Sequence, residues 1–326
     1  MPAGAAAAAL LVAGTPARAA EPLPVFVRQW GAAGHAPGEL WDPRGISVGP
    51  TGDVYVAGTG DDRVVVFDST GVLRRQWGTT GSGPGEFHYP TDIEVDDAGN
   101  VFVVDADNTR IQKFAASGTF LLQWGTSGIE PGQFISPFAI GCGPDGSVYV
   151  SDTFNDCIQK FTSDGTFVRQ WGASGNGPGE FMAALGIAVD RAGNVFVSDV
   201  NANCVQKFTP GGELLARWGG VGSAPGQFKT AFGIATDPWG NVFVVDHHNF
   251  RVQKFATDGT WLGMWGSFGL DAYHFASSHG MAGDSRGNLY IIDYRGTGHC
   301  CFVQKYSIPP VAVQAVSWSR LKATYR

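Results

Sequence analysis

The chain holds 326 residues, 44% of them hydrophobic and 16% charged, with 22 Lys and Arg against 29 Asp and Glu and a net charge of −7. A mildly acidic chain has little basic charge to gather into the patch that phosphate-driven nucleic-acid binding needs. Nothing in it approaches the ~20 consecutive apolar residues of a membrane-spanning helix.

In chain order, residues 1–20 form an Ala-rich leader. Its apolar run, from about Ala3 to Ala13, is followed by Ala17-Arg18-Ala19, an A-x-A cleavage pattern, although the usual basic start is absent. The expectation is a secretory leader and an exported, extracytoplasmic protein.

"PVFVRQWG" from Pro24 then reads as a β-strand with no partners in its own stretch. From there the chain repeats. Trp-Gly pairs begin at Trp30, Trp77, Trp124, Trp171, Trp218 and Trp265, always 47 residues apart. A fixed period of this length marks a repeat architecture, and no local motif should be interpreted before it is recognised. Each unit carries four short β-rich runs separated by Gly, Asp and Pro turns, as in "GIAVD", "NVFVSD", "CVQKF" and "ELLARWG". Four strands per unit of this size read as one propeller blade. The glycine-rich "RQWGASGNGPGEF" and its five counterparts then join the outer strand of one blade to the inner strand of the next.

The sixth unit has "GMAGD", "NLYIID" and "FVQKY", but "SIPP" where its fourth strand should be. The strand at Pro24–Trp30 is therefore expected to complete the last blade and close the ring, which removes unpaired edges. The predicted organisation is a leader at 1–20, an all-β six-bladed propeller at 24–306 and a tail at 307–326. In the tail, Trp318, Leu321 and Tyr325 fall on one face of a short helix. It reads either as a frayed end or as a short docking or sorting peptide.

Trp-Gly, "PGEF", "GIAVD..GNVFV" and "D..N.R[VI]QKF" resemble the NHL-repeat family of six-bladed propellers, from Pro24 to about Tyr306. The last motif is almost intact at Asp105-Asn108-Arg110-Gln112-Lys113-Phe114 and at Asp246-Asn249-Arg251-Gln253-Lys254-Phe255. Cys157 and Cys204 replace its Arg in units three and four, and Gly58 replaces its Asp in unit one.

An aromatic repeated in every unit serves every unit's packing, so the six Trp read as wedges between blades. The glycine loops open strands, not helices, and so lack the helix N-terminus of a phosphate cradle. The repeated Asp reads as a turn-stabilising acceptor, and "DADNTR" lacks the Gly and distal Glu of a calcium loop. Cys157 and Cys204 stand at equivalent points of adjacent blades. These points lie beyond the ~7 Å that a disulfide can bridge. Cys142 reads as a small core residue, and Cys300 and Cys301 could form only a strained vicinal bridge.

Function is then expected where the repeats differ. The residues opening the inner strands are Arg44, Thr91, Phe138, Leu185, Phe232 and His279, apolar on one side of the channel mouth and polar on the other. Adjoining loops add Asp107, Phe154, Asn201, His247, His248, Tyr294 and Arg295. The resemblance also brings in the peptidyl-amidating lyases, propellers that hold zinc through histidines at the inner-strand opening and need a loop tyrosine. Only His279 stands at such a position here, whereas catalytic zinc takes three protein ligands, and Tyr294 is the one loop tyrosine. The lactonase-like propellers place acids and amides in the channel, and none occupies the six opening positions. The expected function is a secreted, non-catalytic recognition propeller, and the chain is expected to be a monomer. It would bind a protein, peptide or small ligand with no cofactor, metal, nucleic acid or membrane span. The alternative is a metal-assisted lyase or hydrolase centred on His279.

Overall fold

The computed structural model describes residues 22–309, except 272 and 296–299. The leader and nearly all of the tail lie outside the described residues. What is described is a six-bladed propeller of six four-stranded antiparallel sheets. The inner strands are β2 (Pro43–Val48), β6 (Pro90–Val95), β10 (Pro137–Cys142), β14 (Ala184–Val189), β18 (Ala231–Thr236) and β22 (Ser278–Gly283). They open blades one to six in that order. Blade six continues through β23 (Asn288–Arg295) and β24 (Cys300–Ser307) and is completed by β1 (Val25–Trp30), with Val25 opposite Ser307 and Trp30 opposite Val303. The ring therefore closes through a strand from the other end of the chain.

Burial follows from position in the blade. Second strands such as Val101–Asp105 are buried at every residue because both faces meet neighbouring blades. Outer strands such as Phe120–Trp124 alternate between half-buried and exposed, as a half-covered strand should. Six apolar clusters fill the wedges, each drawing residues from two adjacent blades. The repeated Trp lie across them. Trp77 packs over Gly118 of the next blade, where a Cβ would sit 2.9 Å from the indole, and Gly118 has a φ of +89° that favours glycine in any case.

The connecting loops are held from within and by the strands beside them. In "GSGPGEF" the Glu86 carboxylate accepts the Gly83 N–H at 2.8 Å, and Phe87 is wholly buried. The Asp of the repeated motif does more than stabilise its own turn. Asp105 accepts the N–H of His88, 17 residues upstream in the connecting loop, as well as Nε of Arg110 at 2.7 Å and Nδ2 of Asn108. Gln112 donates to the Glu86 carbonyl and accepts the Gly85 N–H. The repeated Lys is structural too: Lys113 lies over the Phe102 ring and donates to Ser163 of the next blade.

Cys142, Cys157 and Cys204 are free thiols. Cys142 ends its inner strand half-buried, packed against the apolar cluster between blades two and three and bordering the channel end remote from His279.

Candidate functional site

The six inner strands surround a central cavity of about 160 Å³, which all six blades line. Its mouth carries the residues that open those strands. Phe138 and Phe232 are half-buried and meet edge to face, with ring centroids 6.3 Å apart. Leu185 lies on the strand between theirs, so blades three to five present one apolar crescent. Phe232 continues into a ring series. It meets His279 at 4.9 Å, and His279 meets both His247 and Tyr294 at 4.8 Å.

A short 3-10 turn, His247–Asn249, brings the histidines of blade five to the mouth. His247 Nδ1 pairs with the Ser278 carbonyl at 2.8 Å, and His248 Nδ1 pairs with Thr230 Oγ1 at 2.7 Å. Tyr294 donates its hydroxyl to the Pro43 carbonyl, joining blade six to blade one. Burial pushes the His279 imidazole down to about 3, with His247 and Arg44 adding like charge. Burial also holds His247 below the ordinary imidazole value and pushes the Tyr294 phenol up. At neutral pH the His279–His247–Tyr294 group is therefore uncharged. It can exchange hydrogen bonds but supplies no field.

The remaining candidates are scattered. Arg44 turns aside, its guanidinium 5.0 Å over the Tyr89 ring and 3.6 Å from Asp42. Thr91 is buried, and its hydroxyl is committed to the Phe138 carbonyl at 2.8 Å, so it joins blades two and three and offers a ligand little. Phe154 stands 74% exposed on its loop. The Arg295 side chain lies outside the described residues. Among the described residues, no three His, Cys, Asp or Glu side chains gather closely enough to hold a metal ion.

Two carboxylates lie just below the mouth, on the strand that Thr91 opens. Asp92 and Glu94 both line the cavity, and Glu94 also reaches the second cavity at the opposite end. Asp92 accepts the N–H of Ile93 and, across the blade boundary, that of Ile140, both at 2.9 Å. Burial pushes Asp92 up to about 7. It pushes Glu94 up to about 8, with Asp92 adding repulsion and the Ser47 hydroxyl partly relieving it. Reading only the six opening positions passes over both residues. The repeat itself reveals them. The positions equivalent to Asp92 are Gly45, Ala139, Gly186, Gly233 and Gly280, and those equivalent to Glu94 are Ser47, Gly141, Ala188, Ala235 and Ala282.

A family model described as a 6-bladed beta-propeller, DUF5128, matches residues 51–124 and 142–214. No curated protein matches. Among solved structures, a streptogramin B lyase is 15% identical, with 81% of this chain and 93% of the other covered and a TM-score of 0.57. A catalytically inactive His-to-Ala variant of virginiamycin B lyase from Staphylococcus aureus, solved with quinupristin, is also 15% identical. That match covers 87% of this chain and 89% of the other, with a TM-score of 0.59. A putative gluconolactonase is 17% identical over 84% of this chain and 91% of its own, again with a TM-score of 0.59. At such identities the likeness is one of fold, and the chain is a six-bladed β-propeller similar in architecture to these lyases and to the gluconolactonase.

Proposed function

We propose that this propeller is an exported binding module that takes a small ligand or peptide segment at the channel mouth. The finer kinship with NHL-repeat proteins is part of this reading and is supported by the Trp-Gly and "D..N.R.QKF" repeats. One observation carries the binding assignment: Phe138, Leu185 and Phe232 form an accessible apolar crescent that runs into the neutral His279–His247–Tyr294 group. Apolar walls with a few convergent polar groups are the ordinary make-up of a ligand site. Ligand-observed NMR with a library of aromatic amides and short peptides tests it. Hits should bind the wild type and lose affinity in Phe138→Ala and Phe232→Ala, each compared at a temperature where the variant remains folded. Hits that bind all three proteins equally overturn the assignment.

A second reading, a metal-assisted lyase or hydrolase centred on His279, is favoured by the close packing of the His279 ring between those of His247 and Tyr294. It is also favoured by the virginiamycin B lyase neighbour, which is inactive as a His-to-Ala variant. Incubation with quinupristin followed by mass spectrometry, together with metal analysis, separates the readings. Turnover or stoichiometric metal that disappears in His279→Ala selects the enzyme.

A further inference from the structure

We propose that the channel below the aromatic mouth is a socket for a slender alkylammonium group, whose charge is met by Asp92 and Glu94. The proposal rests on the binding reading above and names the chemistry of what enters.

The six blades act as an internal comparison. At the two levels in question, five blades carry only Gly, Ala or Ser, which lets the inner strands approach closely. A Cβ on Gly233 would sit 2.1 Å from the His279 carbonyl oxygen, and one on Gly280 would sit 2.2 Å from that of Arg44. Blade two alone inserts carboxylates there. Burying a charge without a counter-charge costs stability, and the other five blades show that the fold is built without one. Residues that break a repeat at such a cost are characteristic of functional positions.

No basic side chain offsets either carboxylate: burial, neighbouring acids and hydrogen bonds account for the shifts of both. Arg44, the one Lys or Arg lining the cavity, is occupied by Asp42 and Tyr89. His279 is neutral, so among the described residues Arg44, paired with Asp42, is the one cation that an entering ammonium meets at the mouth. Each Asp92 oxygen accepts one backbone N–H and retains further acceptor capacity, while the Ser47 hydroxyl eases the Glu94 charge. An ammonium group has three donors and brings its own apolar stem. A divalent cation would need about six oxygen ligands, and two carboxylates on one strand leave that shell far from complete. Size agrees. A cavity of about 160 Å³ resembles those that admit a benzene-sized guest, enough for an unbranched aminoalkyl chain passing the Phe138–Phe232 pair. Such a chain belongs equally to a free diamine and to a lysine side chain.

Calorimetric titration of the full chain with 1,5-diaminopentane and with Nα-acetyl-lysine amide distinguishes these sources, with the norleucine amide as uncharged control. At least one amine should bind, and the norleucine compound should bind at least ~10-fold more weakly, the usual worth of a charge-assisted hydrogen bond. Asp92→Asn and Glu94→Gln should each cause a similar loss while unfolding cooperatively at a temperature no lower than the wild type's. Affinity should rise from about pH 6 to about pH 9, as the carboxylates ionise while the amine stays protonated. Three outcomes overturn the proposal: neither amine binding at millimolar concentration, amine binding unchanged in both variants, or calcium or manganese binding at the pair and excluding the amines. If the mouth hits depend on Phe138 and Phe232 but not on Asp92 or Glu94, the binding reading stands and this socket falls.

Discussion

Glu94 illustrates how one residue can oppose the fold that holds it. Its pKa stands at about 8 in the folded chain against ~4.3 for an exposed Glu. Between those values the folded state keeps a proton that the unfolded state has released. Stability therefore falls as pH rises through this window, and the penalty is complete above the folded value. Glu94→Ala, which installs the residue of blades four to six, should stabilise the protein by ~2–4 kcal/mol at pH 9 and by little at pH 4. Urea unfolding at the two pH values checks it, and equal effects at both would deny the burial of charge. Asp152 raises the same issue in blade three. Burial pushes its carboxyl up, and Cys157 stands where Arg110 and Arg251 answer the equivalent Asp in blades two and five. Cys157→Arg should stabilise the blade by ~1–2 kcal/mol, because the new guanidinium would meet a buried carboxylate and the loop carbonyls beyond it. An unchanged denaturation midpoint would show that the site cannot seat it.

The connecting loop and the strand pair that grips it form the repeating element, and their interlock explains what was legible from the repeat. Strand number, blade boundaries and the closing strand follow from spacing, because each Trp-Gly and each "G[NDS][VL][FY][VI]" run occupies a fixed place in every blade. The role of Asp105 was only half legible. Its partners include the His88 N–H 17 residues upstream, a contact that turn chemistry alone does not suggest. Blade one shows the same need met differently: Gly58 occupies the Asp position, and Asp61 instead pairs with Arg63 at 2.9 Å. At the site, the crescent was readable from three apolar residues at one repeat position. Asp92 and Glu94 are not legible from the opening positions, because they lie one and three residues beyond Thr91 down the strand. The closeness of His247 to His279 depends on a local 3-10 turn that the repeat does not specify. This element carries its own prediction. Asp246→Asn leaves the buried Arg251 without its counter-ion and should cost ~3–5 kcal/mol, whereas Asp152→Asn, which strands no Arg, should cost clearly less. Comparable losses in thermal unfolding would show that the loop N–H bonds, and not the ion pair, carry the element.

For the whole molecule the decisive feature is closure. β1 contributes the outer strand of blade six, and its Trp30 packs over Gly71 of blade one, with ring centroids 6.3 Å from Phe67 and 6.1 Å from Tyr290. One segment thus serves two blades, and Tyr294 pins the same boundary from the channel side. Truncation of residues 22–30 should therefore cost more than Trp30→Ala, for which loss of a packed aromatic predicts ~3–5 kcal/mol, because β24 also loses its hydrogen-bonded neighbour. The exposed β24 edge would invite pairing between copies, so the truncated chain should unfold at lower urea concentration and elute as dimers or larger species. A synthetic peptide of residues 22–31 added in trans should restore both the midpoint and the elution position of the full chain, since an extended segment can rejoin an open sheet edge through main-chain hydrogen bonds. A truncated chain that elutes like the full chain with an unchanged midpoint would mean that the ring is held by its inner strands alone and that the shared strand is dispensable.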